Sequence, residues 1–322
     1  MKALILEEYG TPEQLELREV AKPEVKAGNV LVRVRATSVN DWDFSLVTGK
    51  PAYIRLFAGL SKPRVRIPGV DVSGVVEEVG EGSTRFSIGE AVYGDLSNCG
   101  FGAFAEYVSV PEVELRPKPE CLSFEEAAAV PHAAALALQG LRDVGNLATG
   151  ERLLINGAGG GVGTLGIQIA REMGVGEVTG VDSECKLEMM KQMGFDRVIN
   201  YRMVDFTREG ERYDLILDAK TNRSPFSCLR ALNPKGRYVA LGGSAGKLLQ
   251  MAAMGAVVNR IGDRKLKILA LKPNLGLESA SELFDAGKVK TVVQGPYAFE
   301  ELPRALREFG EAAHLGKIVV RI

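Results

Sequence analysis

The stretch Glu151-Arg-Leu-Leu-Ile-Asn-Gly-Ala-Gly-Gly-Gly-Val-Gly163 carries the strongest chemical signal in the chain. Leu153-Leu154-Ile155 is a short apolar run of the kind a buried parallel strand needs. A glycine cluster follows, and then Thr164 to Met173 reads as a helix with Leu165, Ile169 and Met173 on one face. Strand, glycine turn and helix together fit a dinucleotide: a pyrophosphate needs backbone N–H groups at the positive end of a helix, and side chains there would block it. The literal match Gly161-x-Gly163-x-x-Gly166 would put the turn inside the helix. The register Ala158-x-Gly160-x-x-Gly163 puts it directly after the strand and is preferred, which makes Ala158, Gly160, Gly161, Val162 and Gly163 the binding segment. A flexible loop competes only if the flanking strand and helix are ignored.

A second group of residues decides which dinucleotide. Asp182 ends the strand Val178–Val181, at the distance past the glycines where an acid takes the adenosine ribose. A carboxylate there favours NAD and repels the extra phosphate of NADP. Ser183, Lys186 and Arg202 point the other way, since a cation near the ribose favours NADP. A solvated helix residue is the competing reading of Lys186, and from these residues alone the choice stays open. Gly242-Gly243-Ser244 follows a later strand, at the carboxyl edge where ligands bind. It reads as backbone passing the nicotinamide end, with a plain turn as the alternative.

Elements that would position these residues fall into two textures. Residues 1 to about 120 read as short strands (29–39, 69–80, 89–94, 104–110) punctuated by Gly and Pro, a compact barrel-like domain. Pro117 to Leu122 is a linker, and Ser123 with Glu126 forms a capping box that opens a helix from 125 to 144. From there helices and strands alternate: strands at 153–155, 178–181, 198–199, 213–218 and 236–242, helices from 162, at 185–193 and at 224–232. That is the pattern of a doubly wound parallel sheet. The tail adds helices at 277–286 and 302–310 and a last strand at 317–322.

Bulk properties exclude several classes. The 40 basic and 41 acidic residues nearly balance among 322, so no basic field argues for nucleic acid. No apolar run reaches membrane length, and Met1 to Glu8 turns acidic too soon for a signal peptide. Cys99, Cys121, Cys185 and Cys228 are widely spread, with no C-x-x-C pair, which suggests reduced thiols and a cytoplasmic location. With only His132 and His314, a zinc site has few ligands to draw on.

The chain resembles the medium-chain dehydrogenase/reductase superfamily. Tyr9-Gly-Thr-Pro-Glu, Ala36 to Asp43, Gly69-Val-Asp-Val-Ser-Gly-Val-Val, Phe101 to Tyr107, Gly157 to Gly163 and Val198-Ile-Asn-Tyr201 look like its zinc-independent quinone oxidoreductase branch. The resemblance implies an α/β protein: a GroES-like β-barrel catalytic domain at 1–123, completed by 269–322, and a Rossmann domain at 124–268. It also implies a homodimer, with Leu266 to Leu271 as the candidate edge strand. Zinc-using relatives place a Cys where Asn40 stands and a Gly-His-Glu where Gly69-Val70-Asp71 stands, so no zinc is expected. In members that use NADPH, a Lys and a Tyr hold the 2′-phosphate, and Lys186 and Tyr201 fall at those positions. NADPH is therefore expected; Asp182 departs from the small residue common there and keeps NADH as an alternative.

Without a metal, the implied reaction is hydride transfer to an activated small molecule, a quinone or an α,β-unsaturated carbonyl. Asn40 is the candidate donor to the developing oxyanion and a candidate holder of the nicotinamide ribose. Asp43 reads as a structural residue that holds the loop. Tyr53 is a candidate proton donor, against a packed aromatic. His132 is a candidate acid, against a satisfied structural histidine; the resemblance sets it where relatives often carry an apolar residue, with a Thr often standing where Leu136 does. His314 reads as a surface residue. A zinc-free alcohol or aldehyde dehydrogenase and a non-catalytic NADPH-binding sensor are the competing functions.

Overall fold

The computed structural model describes residues 1–322. The chain forms two compact units: Met1–His132 with Pro273–Gly287 and Thr291–Ile322, and Ala133–Lys272 with Lys288–Lys290.

In the first unit, β1 (Lys2–Leu6) pairs antiparallel with β2 (Leu15–Glu19). β3 (Asn29–Ser38), β4 (Asp71–Val79), β5 (Ala91–Asp95), β6 (Tyr107–Pro111) and β7 (Arg116–Pro117) belong to a seven-stranded sheet. β3 organises it. Its middle alternates, with Val32 and Val34 buried and Arg33 and Arg35 exposed, because successive side chains leave a strand on opposite faces. α1 (Asp41–Thr48) follows β3 directly, and α2 (Ile54–Ala58) follows it. Neither helix was expected, since both are short and Pro51 separates them. α3 (Phe124–Ala128) starts at the expected capping box, with Ser123 Oγ accepting from Glu126 N at 3.1 Å.

The single helix expected over 125–144 is three pieces. α3 ends at Ala128, α4 (Pro131–Leu138) begins at a proline, and 139–144 winds as a wider π-turn. Pro131 disfavours helical backbone at Val130, so the first helix has to stop.

The second unit is a six-stranded parallel sheet in the order β10-β9-β8-β11-β12-β13, from β8 (Leu153–Asn156), β9 (Val178–Asp182), β10 (Arg197–Asn200), β11 (Tyr213–Asp218), β12 (Leu232–Ala240) and β13 (Lys265–Ile268). β8 is buried along its whole length, as its apolar run requires. α5 (Gly161–Glu172), α6 (Leu187–Gln192), α7 (Pro225–Arg230) and α8 (Ala245–Ile261) are its helices. α8 carries no one-sided apolar pattern in the sequence: only Met251 and Gly255 are buried.

The tail returns to the first unit. It supplies α9 (Leu277–Asp285), β14 (Val293–Tyr297), α10 (Leu302–Gly310) and β15 (Lys317–Arg321). β15 lies between β14 and β3, so the sheet runs β14-β15-β3-β4-β5-β7, with β6 also on β3. His314 is not at the surface as expected. It is 6 % exposed and its ring stacks on Phe309 with centroids 4.9 Å apart, a planar surface used for packing.

Candidate functional site

In the second unit the glycine turn joins β8 to α5. Gly160 is the N-cap of α5 and has no side chain to cap it. The first helical hydrogen bond there is Thr164 N to Gly160 O at 2.9 Å. The N–H groups of Gly161, Val162 and Gly163 precede it, so they are the orphan donors of a helix start. Gly161, Gly163 and Gly166 all lie inside the helix, where the literal glycine motif would have had its turn. Gly163 has a packing reason: a Cβ there would sit 2.3–2.5 Å from backbone atoms of Ala158. Gly157 has a conformational one, with φ +90°. Three N–H donors at the positive end of a helix fit a pyrophosphate.

Asp182, at the end of β9, spends its carboxylate on the protein. Oδ2 accepts from Gly159 N at 2.9 Å, Oδ1 accepts from Ser183 N at 2.8 Å, and Lys186 Nζ lies 3.4 Å from Oδ1. Lys186 is not a solvated helix residue: its side chain is 1 % exposed and lies against Gly159. Burial lowers the Lys186 pKa and the Asp182 charge raises it, with a net fall to which the nearby Lys220 ammonium adds. Tyr201, just past β10, donates its N–H to Asp182 O at 3.1 Å and is 38 % exposed. Asp182, Ser183, Lys186 and Tyr201 thus sit together at the ends of adjacent strands. Gly242, Gly243 and Ser244 follow β12 and lead into α8, with Ser244 as its N-cap.

Lys220 was not singled out from sequence. It follows β11 in a loop anchored by the buried Asp218, which accepts from Lys220 N at 2.8 Å, Thr221 N at 2.7 Å, Asn156 Nδ2 at 2.8 Å and Tyr238 Oη at 2.5 Å.

The first unit holds a second cluster, buried and charged. Its hub is Asp71, the first residue of β4. Asp71 Oδ2 accepts from Ser38 Oγ at 2.7 Å and Asn40 Nδ2 at 3.0 Å, and pairs with Lys317 Nζ at 3.1 Å. Asp71 Oδ1 accepts from His132 N at 2.9 Å. Lys317 also donates to Asn40 Oδ1. An ammonium has no acceptor atom, so this contact fixes which way the Asn40 amide faces. One Nδ2–H goes to Asp71 and one remains. Asp43 accepts from Asn40 N at 2.9 Å and Gly69 N at 3.0 Å, tying the start of α1 to the approach to β4. Burial and the Asp71 charge push Asp43 up to about 7.

His132 joins the same cluster. Its Nδ1 lies 2.7 Å from Asp95 Oδ2. Asp95 is held in turn: its N–H donates to Asn274 Oδ1 at 2.7 Å, and its carbonyl accepts from Asn274 Nδ2 at 2.9 Å. Burial works against the imidazolium, but the Asp95 charge and hydrogen bond outweigh it and hold His132 above its ordinary pKa. Tyr53 stays apart from this network. It packs against the apolar group of Leu46, Ile54 and Ala58 with Val65 and Phe101.

Residues 26–120 match the model of the alcohol dehydrogenase GroES-like domain, and residues 193–320 match that of zinc-binding dehydrogenases. Over 330 residues the chain is 32 % identical to a 2-methylene-furan-3-one reductase of Solanum lycopersicum, covering 99 % of this chain and 79 % of the relative. The chain belongs to the medium-chain dehydrogenase/reductase superfamily. Another relative in the superfamily is an NADPH-dependent alkenal/one oxidoreductase, chloroplastic, of Arabidopsis thaliana, 31 % identical with 99 % and 79 % covered. The solved quinone oxidoreductase from Coxiella burnetii superposes with a TM-score of 0.87 at 26 % identity, over 100 % of this chain and 99 % of that one. No helix is long and apolar enough to cross a membrane.

Proposed function

We propose that the protein is a zinc-free, NADPH-dependent oxidoreductase that reduces a quinone or an α,β-unsaturated carbonyl. The observation that carries this reading is the nearly full-length likeness to relatives named as enone and alkenal reductases. The three orphan donors at the start of α5 support the cofactor: Gly161, Val162 and Gly163 would take its pyrophosphate. Bound nicotinamide supplies the hydride. The chain's own residues supply orientation and a proton. The remaining Nδ2–H of Asn40 would donate to the developing oxygen, from an amide whose orientation Lys317 and Asp71 fix. His132, oriented by Asp95 through Nδ1, gives the proton from Nε2.

The absence of zinc rests on chemistry at the cluster. Asn40 and Val70 are not zinc ligands, and the cation facing Asn40 Oδ1 and Asp71 Oδ2 is the Lys317 ammonium. NADPH rests on Lys186. The Asp182 carboxylate is already neutralised by Lys186 and engaged by Gly159 and Ser183, so it neither repels a 2′-phosphate strongly nor offers free oxygens to ribose hydroxyls. Lys186→Ala is expected to cost at least about tenfold in NADPH affinity while sparing NADH, as read by calorimetric titration. An unchanged preference would overturn the assignment.

Turnover on a quinone, an enone and a panel of simple alcohols tests the reaction. Enone or quinone reduction with NADPH is expected; alcohol oxidation without it would give the protein to the alcohol dehydrogenases. A homodimer belongs to the same reading. β13 ends its sheet with one edge unpaired, and Ile268 on it is 38 % exposed. A monomer mass by light scattering would refute this. A cytoplasmic location fits four unpaired cysteines, and imaging of a tagged chain checks it.

A further inference from the structure

Two lysines face the glycine turn of the second unit, and only one has an acidic partner. Lys186 lies against Gly159 and pairs with Asp182. Lys220 lies against Gly157, where a Cβ would meet its Cε at 3.3 Å and its Cγ at 3.5 Å. No ion pair or side-chain hydrogen bond engages the Lys220 ammonium, and its charge acts on Lys186 unfavourably. Asp182 answers Lys186, and the Asp218 carboxylate is engaged by Lys220 N, Thr221 N, Asn156 and Tyr238, so the Lys220 ammonium brings an unpaired positive charge to the turn. The positive end of α5 adds to it.

Position decides which anion. β8 lies between β9 and β11 in the sheet. Asp182, Ser183, Lys186 and Tyr201 stand at the β9 and β10 side, where the adenosine ribose is read. Lys220 comes from the β11 side and runs over Gly157, the first residue of the turn. The backbone beneath it is fixed, because Asp218 accepts from both Lys220 N and Thr221 N at 2.8 and 2.7 Å. The side chain itself is exposed and movable.

We infer that Lys220 is a binding cation for the pyrophosphate of the cofactor, closing over the glycine turn when a dinucleotide binds. The inference rests on the cofactor reading above. It assigns Lys220 to the diphosphate that NADPH and NADH share, while Lys186 deals with the 2′-phosphate that only one of them has.

Calorimetric titrations of the full chain and of Lys220→Gln with NADPH, NADH and ADP-ribose test it. The variant is expected to lose about tenfold or more in affinity for all three ligands by a similar factor, because one charge-assisted contact is removed from each. Lys220→Arg should recover most of the loss. The affinity of the unmodified chain should fall more steeply with added salt than that of Lys220→Gln. Equal affinities for the chain and Lys220→Gln would overturn the inference while leaving the cofactor reading intact. A loss confined to NADPH would overturn it too, by moving Lys220 to the 2′-phosphate. If the unmodified chain binds none of the three ligands, the cofactor reading itself fails, and the inference with it. An unchanged melting temperature in Lys220→Gln confirms that the exposed side chain was removed without disturbing the fold.

Discussion

Lys317→Met is expected to destabilise the first unit by about 3–5 kcal/mol, the cost of leaving a buried charge without its partner. The Lys317 side chain is 8 % exposed and that of Asp71 is fully buried. Methionine matches the length and apolar stem of lysine, so packing changes little and the electrostatic loss dominates. Asp71 would keep its hydrogen bonds from Ser38, Asn40 and His132 N but lose its cation. Lys317→Arg keeps the charge and should lose less. Trp42 is the only tryptophan and stands in α1 beside the cluster's Asp43, so denaturation followed by its fluorescence reports the correct unit. A loss below about 1 kcal/mol would mean that the pair behaves like a solvated surface pair.

His132→Gln is expected to reduce turnover by about 10²–10⁴-fold, the usual contribution of a general acid, with KM nearly unchanged. Asp95→Asn should also lower turnover, since it removes the group that sets the imidazole's tautomer. The pH profile separates an acid from a packing residue. His132 is raised above its ordinary 6.5, so the rate of the unmodified chain should fall at a pH above 6.5, and the Gln variant should lose that limb. Stability follows the same pair. A raised histidine stabilises fully below its unfolded pKa of 6.5, and that contribution fades as pH rises through the folded value. Asp95 is lowered from 3.8, because the His132 charge and hydrogen bonds from His132 and Ser97 outweigh its burial; its contribution is present above 3.8 and fades as pH falls through the folded value. The pair is therefore worth most between these two ordinary values. A variant that loses stability in that window but turns over normally would make His132 structural.

The parts of the site that were legible in the sequence are those written in local pattern. The glycine turn follows an apolar strand and opens a helix within a dozen residues, and Asp182 and Lys186 are one helical turn apart. The Ser123 cap is likewise a local signal. Elements without a local signature were lost. α8 has no one-sided apolar stripe, and α1 and α2 are short. The charged cluster was lost for a different reason: Asn40 and Lys317 meet across 277 positions of chain, and Asp95 meets His132 across 37. Nothing in the spacing of Asp71, Asp95 and Lys317 announces that they converge; the pairing of β3 with β4 and β15, and of β4 with β5, brings them together. His314 followed the same logic, since a polar residue before a final strand reads as solvated until Phe309 is seen beneath it.

The place of β15 also sets an order of events during synthesis. The parallel sheet of the second unit is complete in sequence once Ile268 has been made. The first unit begins earlier and finishes later, because β3 waits for β15 to pair with Ala36, Thr37 and Ser38. Until Lys317 leaves the ribosome, the Asp71 carboxylate has no ammonium to meet and β3 carries an open edge. The middle of the chain therefore has all the strands of its sheet before the beginning does, the reverse of the usual amino-terminal-first sequence of domain folding.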